Sequence, residues 1–523
     1  MLTLLTGAII SSVSANQNAL PTAAPETEGV SRAALQNFIA ALDASGVAHS
    51  TMVARHGTVI AEAFWEPYTA TMPQTIFSVT KTFTALAVGF AVADGLLTVT
   101  DRIVDLLPLP TGFVPDAILA AVTVKDLLTM SSGHSECLFQ LSERNFVTKD
   151  IAQNFLYQPV DSVPGTKFVY NNGASYWLSA IVQRLTGKRV SQYLTEKLFE
   201  PIGISDVIVE QSPQRIDMGG FGYHVTTSTL LKLGQFILNQ GAWAGKQLLP
   251  ASWITEMTTP QVRTAPDGDG DMDSDWAQGY GFQMWKCRFD AVRADGAFGQ
   301  FVIIWPKYKS VIVITAASND LKALIQIVWD NLSEAFDNSS AAKATTEPGQ
   351  PLIVTGLKTP TPQGEPTGPE SLNVDGIWYR FEDDVPDALA GAEFCVRQIG
   401  PNALAASLPP TGPSDINLLT APTQFVAEFG NWHLGDDRLV RQQPRPDLRK
   451  LDKQTQFAAS YAWTSPTTLE IRGALLPTVF ELTWVIEFAQ PSQGASPFVT
   501  ISASQNVSFS PRELYRATAR RAV

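Results

Sequence analysis

Histidine is scarce in this chain, and its five copies, His49, His56, His134, His224 and His433, do not cluster at metal-ligand spacing. That pattern gives a metal centre no support. His134, in MSSGHSEC, reads as a solvated loop histidine. The sequence also has no G-x-S-x-G elbow, no H-E-x-x-H and no G-x-x-x-x-G-K-[ST], so three common routes to hydrolysis or phosphate binding lose their signatures. Cysteine is rarer still: Cys137, Cys287 and Cys395 are far apart and odd in number, which excludes a zinc ribbon or a disulfide framework. One bridge stays open, with buried free thiols as the plainer reading. Basic residues are outnumbered, 37 against 50 acidic ones, for a net charge of −13. Nucleic acid and anionic membrane surfaces are therefore poor partners, and ATARRAV at the C-terminus is the only basic cluster. No segment reaches the roughly 18 uninterrupted apolar residues of a membrane span.

What is present is globular. At 523 residues, 45% hydrophobic and 17% charged, the chain is long enough for two domains. Its start, MLTLLTGAIISSVSANQ, has a short apolar run and a cuttable Val13-Ser14-Ala15, yet no Lys or Arg precedes Arg32. Residues 1–15 are a candidate signal peptide without the positive n-region, so the chain is secreted if they are cut and cytoplasmic otherwise. Sequons at Asn331, Asn338 and Asn506 are compatible with secretion. Residues 25–336 read as mixed helix and strand. AHSTMVARHGTVIAEAFWEPY alternates like a hairpin turning at His56-Gly57, and FGQFVIIWPKYKSVIVITAAS looks like a second, with helical patterns between them. Joining early and late strands in one antiparallel sheet flanked by helices gives an α+β domain. Residues 337–373 have a Pro/Gly/Ser/Thr-rich linker composition. From 374 to 523, short aromatic and β-branched runs separated by turns predict an all-β barrel or sandwich, with Trp378, Trp432, Trp463 and Trp484 in its core.

Two motifs carry chemistry. In PQTIFSVTKTFTALAVGFAVADGLL, Ser78 and Lys81 stand three apart at the head of an almost wholly apolar helix. Spaced so, they share a face within contact distance. A serine hydroxyl needs a neighbouring base, and a lysine desolvated by apolar neighbours loses its proton far below its solution pKa. A serine at a helix start also has its own N–H and the positive dipole end where an oxyanion would form. The plainer alternative is an N-cap serine beside a snorkelling lysine. The second motif, PGTKFVYNNGASYWLSAIVQRLTG, delivers Tyr170-Asn171-Asn172 ahead of another apolar helix. Tyr170 suits a phenolate or proton shuttle and Asn172 a holder of the lysine amine, against a core-edge tyrosine and a helix-cap asparagine.

In order and separation, SVTK and YNN resemble the S-x-x-K and Y-x-N motifs of the serine β-lactamase-related hydrolases, a group spanning class C β-lactamases, D-aminopeptidases, penicillin-binding proteins and family VIII esterases. The similarity runs from VARHGTVIAEAFWEPY through VTVKDLLTMSSGH, LFEPIGISD and GGFGYHVTTSTLLKLGQFILNQGAWAGKQLLP to GAFGQFVIIWPK. It implies a β-lactamase/transpeptidase-like fold and a serine hydrolase cleaving an ester or amide through an acyl-enzyme, without cofactor or metal. By position, Ser78 is the nucleophile, Lys81 and Tyr170 share the proton transfers, and Asn172 orients Lys81 and substrate. The family's third motif, K-T-G or H-x-G, is replaced by Ala294-Asp295-Gly296, which keeps the glycine and loses the cation. Asp295 and Gly296 are then expected at the substrate, with Asp295 repelling an anionic one unless it pairs with Lys81 or Arg293. The backbone N–H groups of Ser78 and Ala297 are expected to form the oxyanion hole. The C-terminal β domain is similar to the lipocalin-like barrel appended to some of these hydrolases. The expected partner is a small-molecule or short-peptide substrate. An acyltransferase or peptide cyclase using the same residues, and a binding protein on the same fold, stay open.

Overall fold

The stretch AHSTMVARHGTVIAEAFWE folds as the expected hairpin, β1 (Ala48–Arg55) and β2 (Thr58–Glu66). His56 and Gly57 both take positive φ at the turn, 51° and 82°, the handedness that matches strand twist. The computed structural model describes residues 19–137, 151–265, 273–337, 349–369, 375–381, 385, 389–409, 423–435, 456–476, 478–489, 498–508 and 512–522. The candidate signal peptide and the Asn338 sequon lie outside them. Five further strands complete the sheet: β3 (Trp285–Lys286), β4 (Val292–Gly296), β5 (Gln300–Trp305), β6 (Ser310–Ala316) and β7 (Leu352–Lys358). Among the described residues it has seven strands in the order β7-β2-β1-β6-β5-β4-β3. The second expected hairpin is β5–β6, and β1 pairs antiparallel with β6, joining early and late chain as anticipated.

Helices cover both faces. α1 (Arg32–Ser45) and α5 (Leu321–Asp337) pack on one side, where Leu35, Phe38, Val328 and Trp329 meet Val53, Phe301 and Ile303. On the other lie α2 (Thr80–Ala93), α3 (Asn172–Thr186) and α4 (Thr227–Leu238), over Met52, Val302, Ile304 and Val311. Burial on both faces explains why SVIVITA in β6 is apolar almost throughout. Where β1 carries polar residues they are bonded: the Ser50 hydroxyl lies 2.7 Å from that of Thr227 and 2.6 Å from that of Thr315.

Two expectations are corrected here. The sheet is mixed, because β7 pairs parallel with β2. The segment 337–373 is also no bare linker, since β7 lies inside it. Leu352, Val354 and Leu357 cover the α1 side of the core, and the added strand closes an edge that β2 would otherwise leave open. The chain then stays fastened: Thr359 N–H donates to Glu66 O at 2.9 Å, and Glu365 and Trp463 exchange backbone bonds at 2.9 Å.

The C-terminal region is a closed barrel rather than a sandwich. Its strands are β8 (Trp378–Phe381), β9 (Glu393–Gly400), β10 (Ala403–Leu408), β11 (Thr423–Phe429), a short β12 (His433–Gly435), β13 (Gln456–Ser465), β14 (Thr468–Leu476), β15 (Glu481–Phe488), β16 (Phe498–Gln505) and β17 (Glu513–Arg521). Nine of them follow one another as β11-β10-β9-β8-β17-β16-β15-β14-β13, and a pairing of β11 with β13 closes the ring. Trp463 and Trp484 are buried as expected, but Trp378 is 42% exposed because it takes an outward position of the alternating WYRF strand. Among the described residues no helix is long and apolar enough to cross a membrane.

Candidate active site

Ser78 sits in a 3-10 turn, Phe77–Val79, that runs directly into α2. It caps neither helix: no side-chain capping bond is made at the N-terminus of the turn or of α2. Lys81 does not snorkel either, being 1% exposed. Its amine reaches three oxygens, Ser78 Oγ at 2.9 Å, Asn172 Oδ1 at 2.6 Å and the Gly220 carbonyl at 2.7 Å. Burial lowers its pKa to about 7, with Cys137 and Asp295 pulling weakly the other way. A neutral amine has two N–H bonds and one lone pair. Asn172 Oδ1 and Gly220 O can only accept, so of these three oxygens the Ser78 hydroxyl is the one that can donate to the lone pair.

The YNN stretch supplies the other side. Asn171, not Asn172, caps α3, accepting from Gly173 N–H at 2.9 Å. That frees Asn172, the first residue of the helix, for Lys81. Tyr170 hydrogen-bonds with Ser78, and Lys81 Nζ stands 4.7 Å from the centre of its ring. Burial pushes the Tyr170 phenol well above its ordinary pKa, so it is a protonated phenol at rest rather than a phenolate. Its ring stacks on Trp285 at 5.9 Å and meets Tyr280 edge-on at 6.3 Å, with Phe168 alongside, forming an aromatic wall.

The third motif behaves differently from its expectation. Asp295 does not face substrate as a free charge: its carboxylate lies 2.8 Å from the Arg293 guanidinium, which is itself fully buried. Residues two apart on a strand share a face, and that places the pair together. Burial raises Asp295 while Arg293 pulls it back. The repulsion of an anionic substrate is therefore cancelled at its source. Ala294, on the opposite face, is buried in the core around α2. Gly296 serves by lacking a side chain: an added Cβ would stand 2.3 Å from the Ile76 carbonyl oxygen and 2.9 Å from Gln300 Cβ. This close approach sets the end of β4 against Ile76, the residue that precedes the Phe77–Val79 turn.

Several features escaped the sequence. The Gly220 carbonyl was one, although GGFG signalled a close backbone approach; a Cβ there would press on Asn172 at 3.3 Å. Another is the backbone at Phe77 and Phe298, where φ is 44° and 64°. Non-glycine residues in that region cost about 1–3 kcal/mol each and persist only where packing fixes them. The third is His134, which is buried, not solvated; its ring nitrogens meet Ser132 Oγ at 3.0 Å and Phe155 O at 3.1 Å, because the loop folds back under α3. None of the three cysteines is in a disulfide, and Cys287 and Cys395 are buried.

The lovastatin esterase of Penicillium rubens is 29% identical over 151 residues, covering 25% of this chain and 37% of its own length. Penicillin-binding protein 4* of Bacillus subtilis is 26% identical over 156 residues, covering 28% and 33%. The chain thus spans about a third of the length of the curated relatives it matches. The octameric penicillin-binding protein homologue from Pyrococcus abyssi is 15% identical with a TM-score of 0.46, over 92% of this chain and 99% of its own. A family model described as Beta-lactamase matches residues 32–330. With more than half of its length under that match, and with esterase and penicillin-binding relatives, the chain belongs to the β-lactamase family of serine hydrolase-type folds.

Proposed function

We propose that the protein is a serine hydrolase that cleaves an ester or amide bond through an acyl-enzyme on Ser78. The observation that carries this reading is the buried Lys81 amine, bonded to two obligate acceptors and 2.9 Å from Ser78 Oγ, which in its neutral form can turn its lone pair only to the hydroxyl among these three oxygens. Neutral Lys81 takes the Ser78 proton as Oγ attacks the substrate carbonyl. The tetrahedral oxyanion rests on the N–H groups of Ser78 and Ala297. Tyr170 gives its phenolic proton to the departing alcohol or amine and is replenished with the proton held on Lys81. Water then repeats the sequence on the acyl-serine, and the steps require no metal. With Ala294 buried and Asp295 held by Arg293, the site offers an acyl group aromatic surface instead of a cation. Neutral esters and amides are the substrates that suit it.

The test is intact-protein mass after a fluorophosphonate. The wild type should gain one adduct, located on Ser78. Ser78→Ala should fold, take no label and lose at least about 10³-fold of the turnover, as removal of a covalent nucleophile does. An adduct that persists in Ser78→Ala sinks the reading.

A further inference from the structure

The residues that flank the two candidate oxyanion donors are both strained, and their rings meet. Phe77 directly precedes Ser78 and Phe298 directly follows Ala297; φ is 44° at one and 64° at the other. Their rings pack edge-to-face with centroids 5.3 Å apart. A third ring completes the set, and it comes from the barrel. Phe480, in the turn between β14 and β15, lies 6.2 Å from Phe77 and 6.0 Å from Phe298, again edge-on to both.

The described residues of that turn are held by several bonds. Thr478 Oγ1 accepts from Phe480 N–H at 3.1 Å, and Leu475 N–H donates to Phe480 O at 2.9 Å. Asn506 accepts from Glu481 N–H at 2.8 Å and donates to Val479 O at 3.0 Å. Tyr68, at the end of the first hairpin, donates to Thr478 O at 3.2 Å. The catalytic-domain side is held as firmly, since Gln300 Nε2 donates to Ala297 O at 3.2 Å and to Ala316 O at 2.7 Å.

We propose that Phe480 of the barrel is a positioning residue that fixes the spacing of the Ser78 and Ala297 N–H groups by clamping the Phe77 and Phe298 rings. The inference rests on the serine hydrolase reading above. Both donors belong to backbone segments in conformations that relax unless packing holds them, and Phe480 touches the two rings that transmit the hold. Among the described residues the three oxygen partners of Lys81 all come from the β-lactamase-like domain. Loss of the clamp therefore weakens stabilisation of the oxyanion without altering the base.

The full-length protein is assayed with p-nitrophenyl butyrate. Phe480→Ala should lower kcat at least about tenfold, the scale expected when oxyanion donors are misplaced by a fraction of an ångström to an ångström. KM should stay within about twofold, and the pH midpoint of kcat/KM should not move. Phe480→Leu, which keeps apolar volume and loses the ring edge, should fall between Phe480→Ala and wild type, and it decides the matter alone if Phe480→Ala does not fold. A barrel-core control, Leu404→Ala, should lose thermal stability while keeping kcat. Unchanged kcat in folded Phe480 variants overturns the proposal, as does an equal loss of kcat in Leu404→Ala at matched loss of melting temperature. Wild-type protein that takes no fluorophosphonate on Ser78 would instead refute the serine reading, and this proposal with it.

Discussion

Lys81 was the residue that sequence reasoning could reach, because a charged amine inside an apolar helix demands an explanation. Its fate in the fold yields a pH dependence. The amine works as a base only when neutral, and burial lowers its pKa to about 7 from an ordinary value of 10.5. Activity should rise with pH through a single-proton limb centred near 7, then level off. A profile of kcat/KM from pH 5 to 9 checks this, and a flat profile across that range removes Lys81 from the role. The fold brings together Ser78, Lys81, Tyr170 and Asn172, the residues that SVTK and YNN singled out, although each also had a plainer reading as a cap, a snorkelling chain or a core edge. Asp295 was legible as a position, with its charge left open between repelling substrate and pairing with Lys81 or Arg293, and the fold pairs it with Arg293. Arg293, two residues earlier, was named as a possible partner, but only the strand itself places the two side chains on one face and away from Ala294.

At the scale of elements, periodicity gave both hairpins of the sheet and the placement of helices on it. Strand β7 escaped, because a seven-residue strand inside a Pro/Gly/Ser/Thr-rich stretch is outvoted by its surroundings. Long-range pairing, which no local window sees, is what selects it. The end of β4 shows the opposite case, in which one glycine was noticed and its reason was not. Gly296 has no left-handed φ to protect; it clears the Ile76 carbonyl oxygen. In Gly296→Ala, backbone must yield by more than a flexible side chain could absorb, so Ala297 moves away from Ser78. We expect kcat to fall about 10- to 10²-fold, as for other small misplacements of reacting groups. Steady-state kinetics on a neutral ester, with circular dichroism to confirm folding, is the check, and wild-type kcat in a folded variant would show that the close approach is dispensable.

Across the whole molecule, the barrel and the β-lactamase-like domain share an apolar seam in which Phe77, Phe298 and Ala317 join the barrel's core. Glu481, at the start of β15, is buried beside Tyr68 and carries a pKa raised by that burial to about 7, against 4.5 for the free side chain. Between those two values the folded protein holds a proton that the unfolded chain has lost. Stability from this group is therefore complete below about pH 4.5 and declines as pH rises to about 7, by roughly 3 kcal/mol at ~1.4 kcal/mol per pKa unit. Glu481→Gln should remove that decline, so its melting temperature should exceed that of wild type at pH 8 and match it near pH 4.5. Parallel melting curves for the two proteins at every pH would mean that Glu481 ionises as freely when folded as when unfolded.

The pairing of β1 with β6 sets a timetable for synthesis. Ser50 lies opposite Thr315, so the centre of the sheet joins residues from the two ends of the β-lactamase-like domain. A ribosome adding about 5–20 residues per second makes the first partner wait on the order of 10 to 60 s for the second. Through that interval the hairpin of β1 and β2 presents an apolar edge with nothing beside it, a template for wrong strands. Nascent chains of this protein should be clients of holding chaperones until β6 has cleared the exit tunnel, and translation speed over residues 60–310 should affect yield more than it affects the activity of the molecules that fold.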